Sequence, residues 1–348
     1  MESEKQPSST YRILDASLNR ASEGLRVIED FLRMSLSDGH LAGLTKHLRH
    51  QLTETARLLD ASLLISSRDT QNDVGCAIQT DAEFTRKSAE DVVHSNLARV
   101  QQSLRTLEEY GKTVSVEFAK SIETLRYQTY TLEKAVLTTM ISRKSLADSQ
   151  LYVLIDSRQE SDDFEDLVKQ LLQAEVDLIQ FRDKRLNDCE LVEIGLRLTK
   201  LTGPTKTRWI MNDRVDLAMA SGAAGVHLGQ EDLGVADARR IVGAAMIIGV
   251  STHDLNQARQ AVLDGANYIG VGPVFSSQTK SFESHPGLSL VEQVAQEIQL
   301  PAFAIGGINL GNVERVRQAG LERVAVQGGI LRTDSPLQAA LDLRSVLE

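Results

Sequence analysis

Two segments of this chain place cations and small polar groups at the end of an apolar run. The first is Gln180-Phe181-Arg182-Asp183-Lys184. The second runs from Gly270-Val271-Gly272-Pro273-Val274-Phe275 into Ser276, Ser277, Gln278, Thr279 and Lys280. In an extended segment Gln180, Arg182 and Lys184 project to one side, while Phe181 and Asp183 turn to the other. Arg and Lys on one edge suit a cluster of anionic oxygens. Two further run ends carry acids, Asn212-Asp213 and Gln230-Glu231-Asp232. Two carboxylates facing diphosphate oxygens are the usual way to hold a Mg2+ that keeps some of its waters. Either acid alone would serve equally as a helix N-cap. Together, beside the Arg-Asp-Lys run, Asp213 and Asp232 favour one Mg2+. Ser251, in Gly249-Val250-Ser251-Thr252-His253, is either a substrate contact or a cap, and His253 reads as structural. The polar segment from Ser277 onward is too long for a minimal turn and reads as a mobile lid with Lys280 at its base. Gly306-Gly307 and Gln327-Gly328-Gly329 close the last two runs. Paired glycines there expose backbone N–H groups to a phosphate, the plain alternative being tight packing.

Such groups need a frame that collects strand ends on one face. Eight apolar runs, at 151–155, 178–182, 209–212, 226–228, 246–250, 268–272, 302–306 and 324–327, alternate with amphipathic stretches. Eight β-α units in about 200 residues predict an α/β fold, a (β/α)8 TIM barrel whose active site sits at the C-terminal ends of its strands. A doubly wound open sheet is the alternative, but it should carry a G-x-G-x-x-G turn after its first strand. Here that strand leads into Asp156-Ser157-Arg158-Gln159, without glycine.

The residues before the barrel follow a different pattern. Tyr11, Leu14, Leu18, Ala21, Leu25, Ile28 and Leu32 form one apolar stripe at helical spacing, and the stretches 89–110 and 116–137 repeat the style. This predicts an all-α helical bundle over residues 1–145, ahead of a barrel over 146–348. A polar loop, Ser66 to Gly75, interrupts the bundle. A weak internal echo, L-R-x-x-E-[DE]-[FY], occurs at Leu25–Phe31 and Leu104–Tyr110. Its Arg and Glu share a helix face, as a solvated ion pair or as a polar site inside the bundle.

Bulk properties narrow the partners. Net charge is −10. There are 19 basic and 21 acidic residues up to Asp148, and 19 and 27 beyond it. An acidic chain argues against nucleic acid and against anionic membrane surfaces, yet leaves room for small phosphorylated ligands that need only local cations. The polar start has no apolar signal-type core, and no run reaches membrane-spanning length. Cys76 and Cys189 are the only cysteines and lack CxxC spacing. A cytoplasmic protein with reduced thiols is expected.

With these segments in order, the chain from about residue 150 onward resembles the thiamine phosphate synthases. Q-F-R-D-K, N-D-R, G-V-H-L-G-Q-E-D, I-G-V-S-T-H, Y-I-G-V-G-P-V-F-x-x-x-T-K and A-I-G-G-I occur in the family's order. The resemblance implies condensation of 4-amino-2-methyl-5-(diphosphooxymethyl)pyrimidine with carboxythiazole phosphate, releasing diphosphate and CO2. It implies pyrimidine-diphosphate contacts from the Gln180-Phe181-Arg182-Asp183-Lys184 segment, Asn212 and Ser251, and Mg2+ at Asp213 and Asp232. It assigns thiazole contacts to Ser277, Gln278 and Thr279, and its phosphate to Gly307, Gln327 and Gly328. Lys280 resembles the lysine that stabilises departing diphosphate, with Arg182, Lys184 and Ser251 the other catalytic candidates. Two departures stand out: Ser276-Ser277 where Pro-Thr is common, and Gln327-Gly328-Gly329 where a Val-Ser-Ala type is typical, which removes a hydroxyl from the phosphate site. The rival reading of the barrel is a sugar-phosphate isomerase or epimerase.

The first half resembles a helical domain fused ahead of such synthases and linked to phosphorylation of hydroxymethylpyrimidine phosphate. Its candidates are Arg20, Glu23, Arg26, Arg68, Asn72 and Asp73, although no Walker A motif is present. The rival is a non-catalytic bundle for homo-oligomerisation or substrate handover.

Overall fold

The computed structural model describes residues 5–74, 85–157, 161–276 and 286–348. The chain divides into two compact units, Met1–Val136 and Leu137–Glu348.

The first unit is helical. Its elements are α1 (Lys5–Met34), α2 (Gly39–Ala56), α3 (Ala61–Ser66), α4 (Ala89–Gly111) and the start of α5 (Val116–Ser145). Asp38, Asp60 and Ser88 cap α2, α3 and α4 by accepting backbone N–H bonds of the first turn. The predicted stripe is the core: Leu14, Ala21, Leu25, Ile28 and Leu32 are fully buried, with Val93, Leu97, Val100 and Leu107 of α4. Gly24 permits a close crossing, since a Cβ there would stand 2.7 Å from Val100 Cγ2. The echoed acids are buried, not solvated. Glu29 accepts from Arg49 of α2 at 3.1 Å, and Glu108 accepts from Arg126 of α5 at 2.7 Å. Arg26 and Arg105 approach them from the exposed side, at 3.8 and 3.0 Å. Each motif thus ties two helices together.

The second unit is a barrel. Eight strands, β1 (Leu151–Ile155), β2 (Leu178–Phe181), β3 (Arg208–Asn212), β4 (Gly225–Leu228), β5 (Ile247–Thr252), β6 (Tyr268–Val271), β7 (Ala302–Ile305) and β8 (Val324–Val326), pair in parallel and in sequence order, and β8 pairs with β1. Closure excludes the open doubly wound sheet. Between and after the strands come α6 (Ser161–Gln173), α7 (Asp188–Thr202), α8 (Val215–Ser221), α9 (Val235–Val242), α10 (Leu255–Asp264), α11 (Gly287–Glu297), α12 (Val313–Gln318), α13 (Gly328–Leu331) and α14 (Pro336–Leu347). Alternate strand residues fill the interior: Tyr152, Leu154, Leu178, Ile210, Ile247, Tyr268, Phe303 and Ala325. Tyr152, Tyr268 and Phe303 meet edge to face, with centroids 5.4–5.8 Å apart. Gly249 makes room for them, because a Cβ there would lie 2.0 Å from Tyr268 Cζ.

The end of α5 belongs to this unit. Leu146 joins the barrel core, Asn267 Nδ2 donates to Ser142 Oγ at 3.1 Å, and Arg208 donates to Ser145 at 2.9 and 3.1 Å. The helix runs unbroken to Ser145, although beyond Leu137 its buried positions are the polar Thr139 and Ser142 and Ile141 is exposed.

Candidate active site

The strands deliver their ends to a cavity of ≈ 520 Å³. One wall carries Gln180 and Arg182 from the end of β2, Asn212 from β3 and Ser251 from β5. The β7 and β8 ends supply Gly306, Gly307, Gln327, Gly328 and Gly329. Strand order puts β3 and β7 on opposite sides of the barrel, four strands apart in a ring of eight.

The cationic wall follows strand alternation. Gln180 and Arg182 face the cavity, and Lys184 Nζ stands 4.0 Å from Asp213 Oδ2. Phe181 and Asp183 point elsewhere. Phe181 is 1 % exposed and packs edge-on against Phe164 of α6, with centroids 6.0 Å apart. Asp183 accepts from the Arg185 guanidinium at 2.6 and 3.0 Å, from the Arg185 amide at 3.0 Å and from Ser157. Burial opposes its charge, but these donors outweigh it and hold the carboxyl well below the usual range. The structure therefore gives both residues a scaffolding place outside the cavity, although the family resemblance had grouped them with the substrate contacts.

Asp213 and Asp232 meet across the ends of β3 and β4. Neither caps a helix: the N-caps of α8 and α9 are Arg214 and Gly234. Asp232 accepts from the Gly229 amide at 2.6 Å, which closes the turn after β4. Asp213 has φ 60, a left-handed conformation unusual for a residue with a side chain, and its amide donates to His227 O at 2.8 Å. Its carboxyl is pushed up to about 6, first by burial, then by a shared hydrogen bond and repulsion from Asp232, against the pull of Lys184 and Arg182. Among the described residues no group of three His, Cys, Asp or Glu is placed to hold a metal. Two carboxylates suffice for a Mg2+ that also takes waters and diphosphate oxygens, and two crowded acids beside two cations fit that donor set.

On the far wall Gly306 and Gly307 have φ 106 and 63. A Cβ at Gly307 would stand 2.6 Å from Ser276 O, so only glycine passes there. Gly328 and Gly329 open α13 and line the cavity. Arg332 and Thr333 also line it, and sequence reading had not singled them out.

Beneath the cavity lies a buried chain of hydrogen bonds. Gln180 Nε2 donates to Tyr152 Oη at 2.7 Å, and the Tyr152 and Tyr268 hydroxyls are 2.9 Å apart. Tyr268 Oη lies 3.0 Å from His227 Nδ1, and His227 Nε2 lies 2.9 Å from Ser251 Oγ. Burial raises both tyrosine pKa values and lowers that of His227 to about 4. Ser251 therefore does not cap a helix; Asp254 caps α10. His253 lines the cavity and bonds Gly272 O at 2.6 Å. Tyr152, His227 and Tyr268 sit in runs that read as apolar strand, and only their inward alternation hinted at a place in the interior. Ser277, Gln278, Thr279 and Lys280 lie outside the described residues.

In the helical unit, Arg68 donates to both oxygens of Asp15, at 2.6 and 2.8 Å. Asn72 donates to Asp69 at 3.0 and 3.1 Å, and Arg12 lies 3.7 Å from Asp73. These contacts dock the loop onto α1. Arg20 and Glu23 are exposed on α1, away from the contacts that hold the loop.

Closure of eight parallel strands around one polar cavity at their ends defines a (β/α)8-barrel enzyme. The family model described as "Thiamine monophosphate synthase" matches residues 151–330, and the ThiD2 family model matches 12–135. The thiamine-phosphate synthase of Rhodopirellula baltica is 44% identical over 98% of this chain and 93% of its own. That of Gloeobacter violaceus is 42% identical over 93% of both chains. Thiamine phosphate pyrophosphorylase from Pyrococcus furiosus superposes with a TM-score of 0.52 at 32% identity, covering 57% of this chain and 95% of that one. The chain belongs to the thiamine-phosphate synthase family, and is a transferase of thiamine biosynthesis with an added N-terminal helical unit.

Proposed function

We propose that the barrel cavity holds both phosphorylated substrates at once, the aminopyrimidine diphosphate along the β2–β5 ends and carboxythiazole phosphate against the β7 and β8 glycines. One observation carries this reading: a single cavity is lined by Gln180, Arg182, Asn212 and Ser251 at the ends of β2, β3 and β5 and by Gly306, Gly307, Gln327, Gly328 and Gly329 at the ends of β7 and β8. Two anion sites on opposite sides suit two phosphorylated reactants. An isomerase or epimerase acting on a single sugar phosphate needs only one of them.

Arg182 and Lys184 would bind the diphosphate and offset the charge that grows as its C–O bond breaks. Asp213 and Asp232 would hold Mg2+, which supplies further counter-charge to the leaving group when bound. Gln180 and Ser251 would orient the pyrimidine ring, and Asn212 the adjoining diphosphate. The aminopyrimidine expels diphosphate, the electron-rich ring stabilises the resulting cation, and the thiazole nitrogen donates its pair to form the C–N bond before CO2 leaves. The walls keep water from the cation while the thiazole waits at Gly307, Gln327 and Gly328. Lys280, from its motif, would act on the departing diphosphate. The test mixes purified protein, Mg2+ and both precursors. Thiamine phosphate should form, and Arg182→Ala should reduce it strongly. Sugar-phosphate isomerisation without thiamine phosphate would favour the rival reading.

For the helical unit we propose ATP-dependent phosphorylation of hydroxymethylpyrimidine phosphate, which would make the barrel's own substrate. The match to the ThiD2 family supports it. Arg68 and Asn72 shape the loop through Asp15 and Asp69, leaving Arg20, Glu23 and Arg26 as the exposed candidates on α1. Full-length protein should convert the monophosphate with release of ADP. Absence of both turnover and nucleotide binding would reject the kinase. No described helix is long and apolar enough to cross a membrane.

A further inference from the structure

We propose that the buried chain Gln180–Tyr152–Tyr268–His227–Ser251 fixes hydrogen-bond polarity at both of its ends, so that Gln180 presents an acceptor and Ser251 a donor, and the site thereby selects an aminopyrimidine over its 4-oxo analogue. The inference rests on the pyrimidine lying between Gln180 and Ser251.

The number of protons along the chain sets its direction. Each tyrosine hydroxyl has one proton to give, and a neutral imidazole has one N–H and one lone pair. Gln180 Nε2 donates to Tyr152 Oη. The Tyr152 proton then goes to Tyr268 Oη, 2.9 Å away, and the Tyr268 proton to His227 Nδ1 at 3.0 Å. With Nδ1 accepting, the imidazole proton sits on Nε2 and points to Ser251 Oγ at 2.9 Å. Ser251 receives that bond and keeps its own proton for the cavity. At the other end, Gln180 has turned its amide nitrogen to Tyr152, which leaves Oε1 for the cavity it lines. Gln180 and Tyr152 are 2 % exposed and Tyr268 is 0 % exposed, so the direction of one link sets the direction of all.

The 4-aminopyrimidine carries an exocyclic N–H donor at C4 and, across the ring, the N1 lone pair. An acceptor at Gln180 and a donor at Ser251 match these two. The 4-oxo analogue offers a carbonyl where the amine stood, facing the Gln180 oxygen. Tyr152, Tyr268 and His227 are positioning residues: they act through Gln180 and Ser251. Gly249 is part of the same device, because its missing side chain admits the Tyr268 ring.

The experiment compares the amino and 4-oxo pyrimidine diphosphates in full-length protein and in Tyr268→Phe and Tyr152→Phe, which remove one hydroxyl each and keep the ring. Cutting the chain lets the Gln180 amide and the His227 tautomer turn either way. The preference in kcat/KM for the amino substrate should fall by about tenfold or more, as expected for the loss of an oriented buried hydrogen bond. KM for carboxythiazole phosphate should stay unchanged. An undiminished preference in either folded variant, or a loss shared equally with the thiazole KM, overturns the proposal. The 15N spectrum of unmodified protein gives a measurement that needs no variant: His227 should be the Nε2–H tautomer, and an Nδ1–H tautomer overturns the proposal. If wild type makes no thiamine phosphate, the functional reading fails, while the tautomer still judges the chain.

Discussion

Replacing Asp213 by Asn should stabilise the metal-free protein while it abolishes most activity. The Asp213 carboxyl is pushed up to about 6 from 3.8, first by burial and then by Asp232. Because the folded value lies above the unfolded one, the folded state binds more protons between those two values. Stability therefore falls as pH rises through about 4 to 6, and the penalty is complete above that window. A difference of about two units corresponds to about 3 kcal/mol. The side chain is 30 % exposed, so solvent screening reduces this to about 1.5–3 kcal/mol. The asparagine amide would carry no such charge. With EDTA at pH 8 the variant should melt several degrees above wild type, at about 2–4 °C per kcal/mol for a domain of this size. At pH 3.5 the gap should close. Adding Mg2+ and diphosphate should raise the wild-type melting temperature and leave the variant unmoved. Thermal scans at the two pH values, with thiamine phosphate formation measured in parallel, check this. Equal melting temperatures at pH 8 without metal would refute the crowding of the two acids.

Gly249→Ala should destabilise the barrel by about 1–3 kcal/mol, because its Cβ would fall 2.0 Å from Tyr268 Cζ; the denaturation midpoint reads this out. Lys280→Ala should lower kcat far more than it raises KM for the thiazole, if the lysine acts on charge that develops as diphosphate leaves; unchanged kcat with raised KM would make it a binding residue. A chain starting at Leu137 should fold and make thiamine phosphate, since it keeps Ser142, Ser145 and Leu146. One starting at Ser149 should be less stable, and equal stability in chemical denaturation would argue against a role for the end of α5.

The barrel was legible because parallel strands buried on both faces leave short apolar runs, and helices between them keep their own period. All eight runs fall on strands, with edges shifted by a residue or two. Gln180, Arg182 and Asn212 were legible for a related reason. Alternation at a strand end decides which side chain faces the axis, and the same rule turns Phe181 and Asp183 away. The tyrosine–histidine chain was not legible. Tyr152, His227 and Tyr268 belong to β1, β4 and β6, and only closure of the sheet brings their polar tips together. Nor was the assignment of the end of α5 to the barrel unit, because its buried positions there, Thr139 and Ser142, are polar.

Residue type alone did not separate framework from site, since both halves carry Arg and Asp in polar turns. Compensation does. Asp15 and Arg68 satisfy each other in a two-point ion pair, Asp69 accepts from Asn72, and Asp183 is held by Arg185 and Ser157. Opposite charges in contact need nothing further to be stable. Asp213 and Asp232 do the reverse: like charges stand side by side, one on a left-handed backbone, with a carboxyl raised toward neutrality. A fold gains nothing from that arrangement by itself. On the proposed reading, a Mg2+ held by the two acids, with a diphosphate at Arg182 and Lys184, would make it favourable. Crowded like charge, more than the presence of charge, is what singles out the ends of β3 and β4 as the candidate place for a ligand.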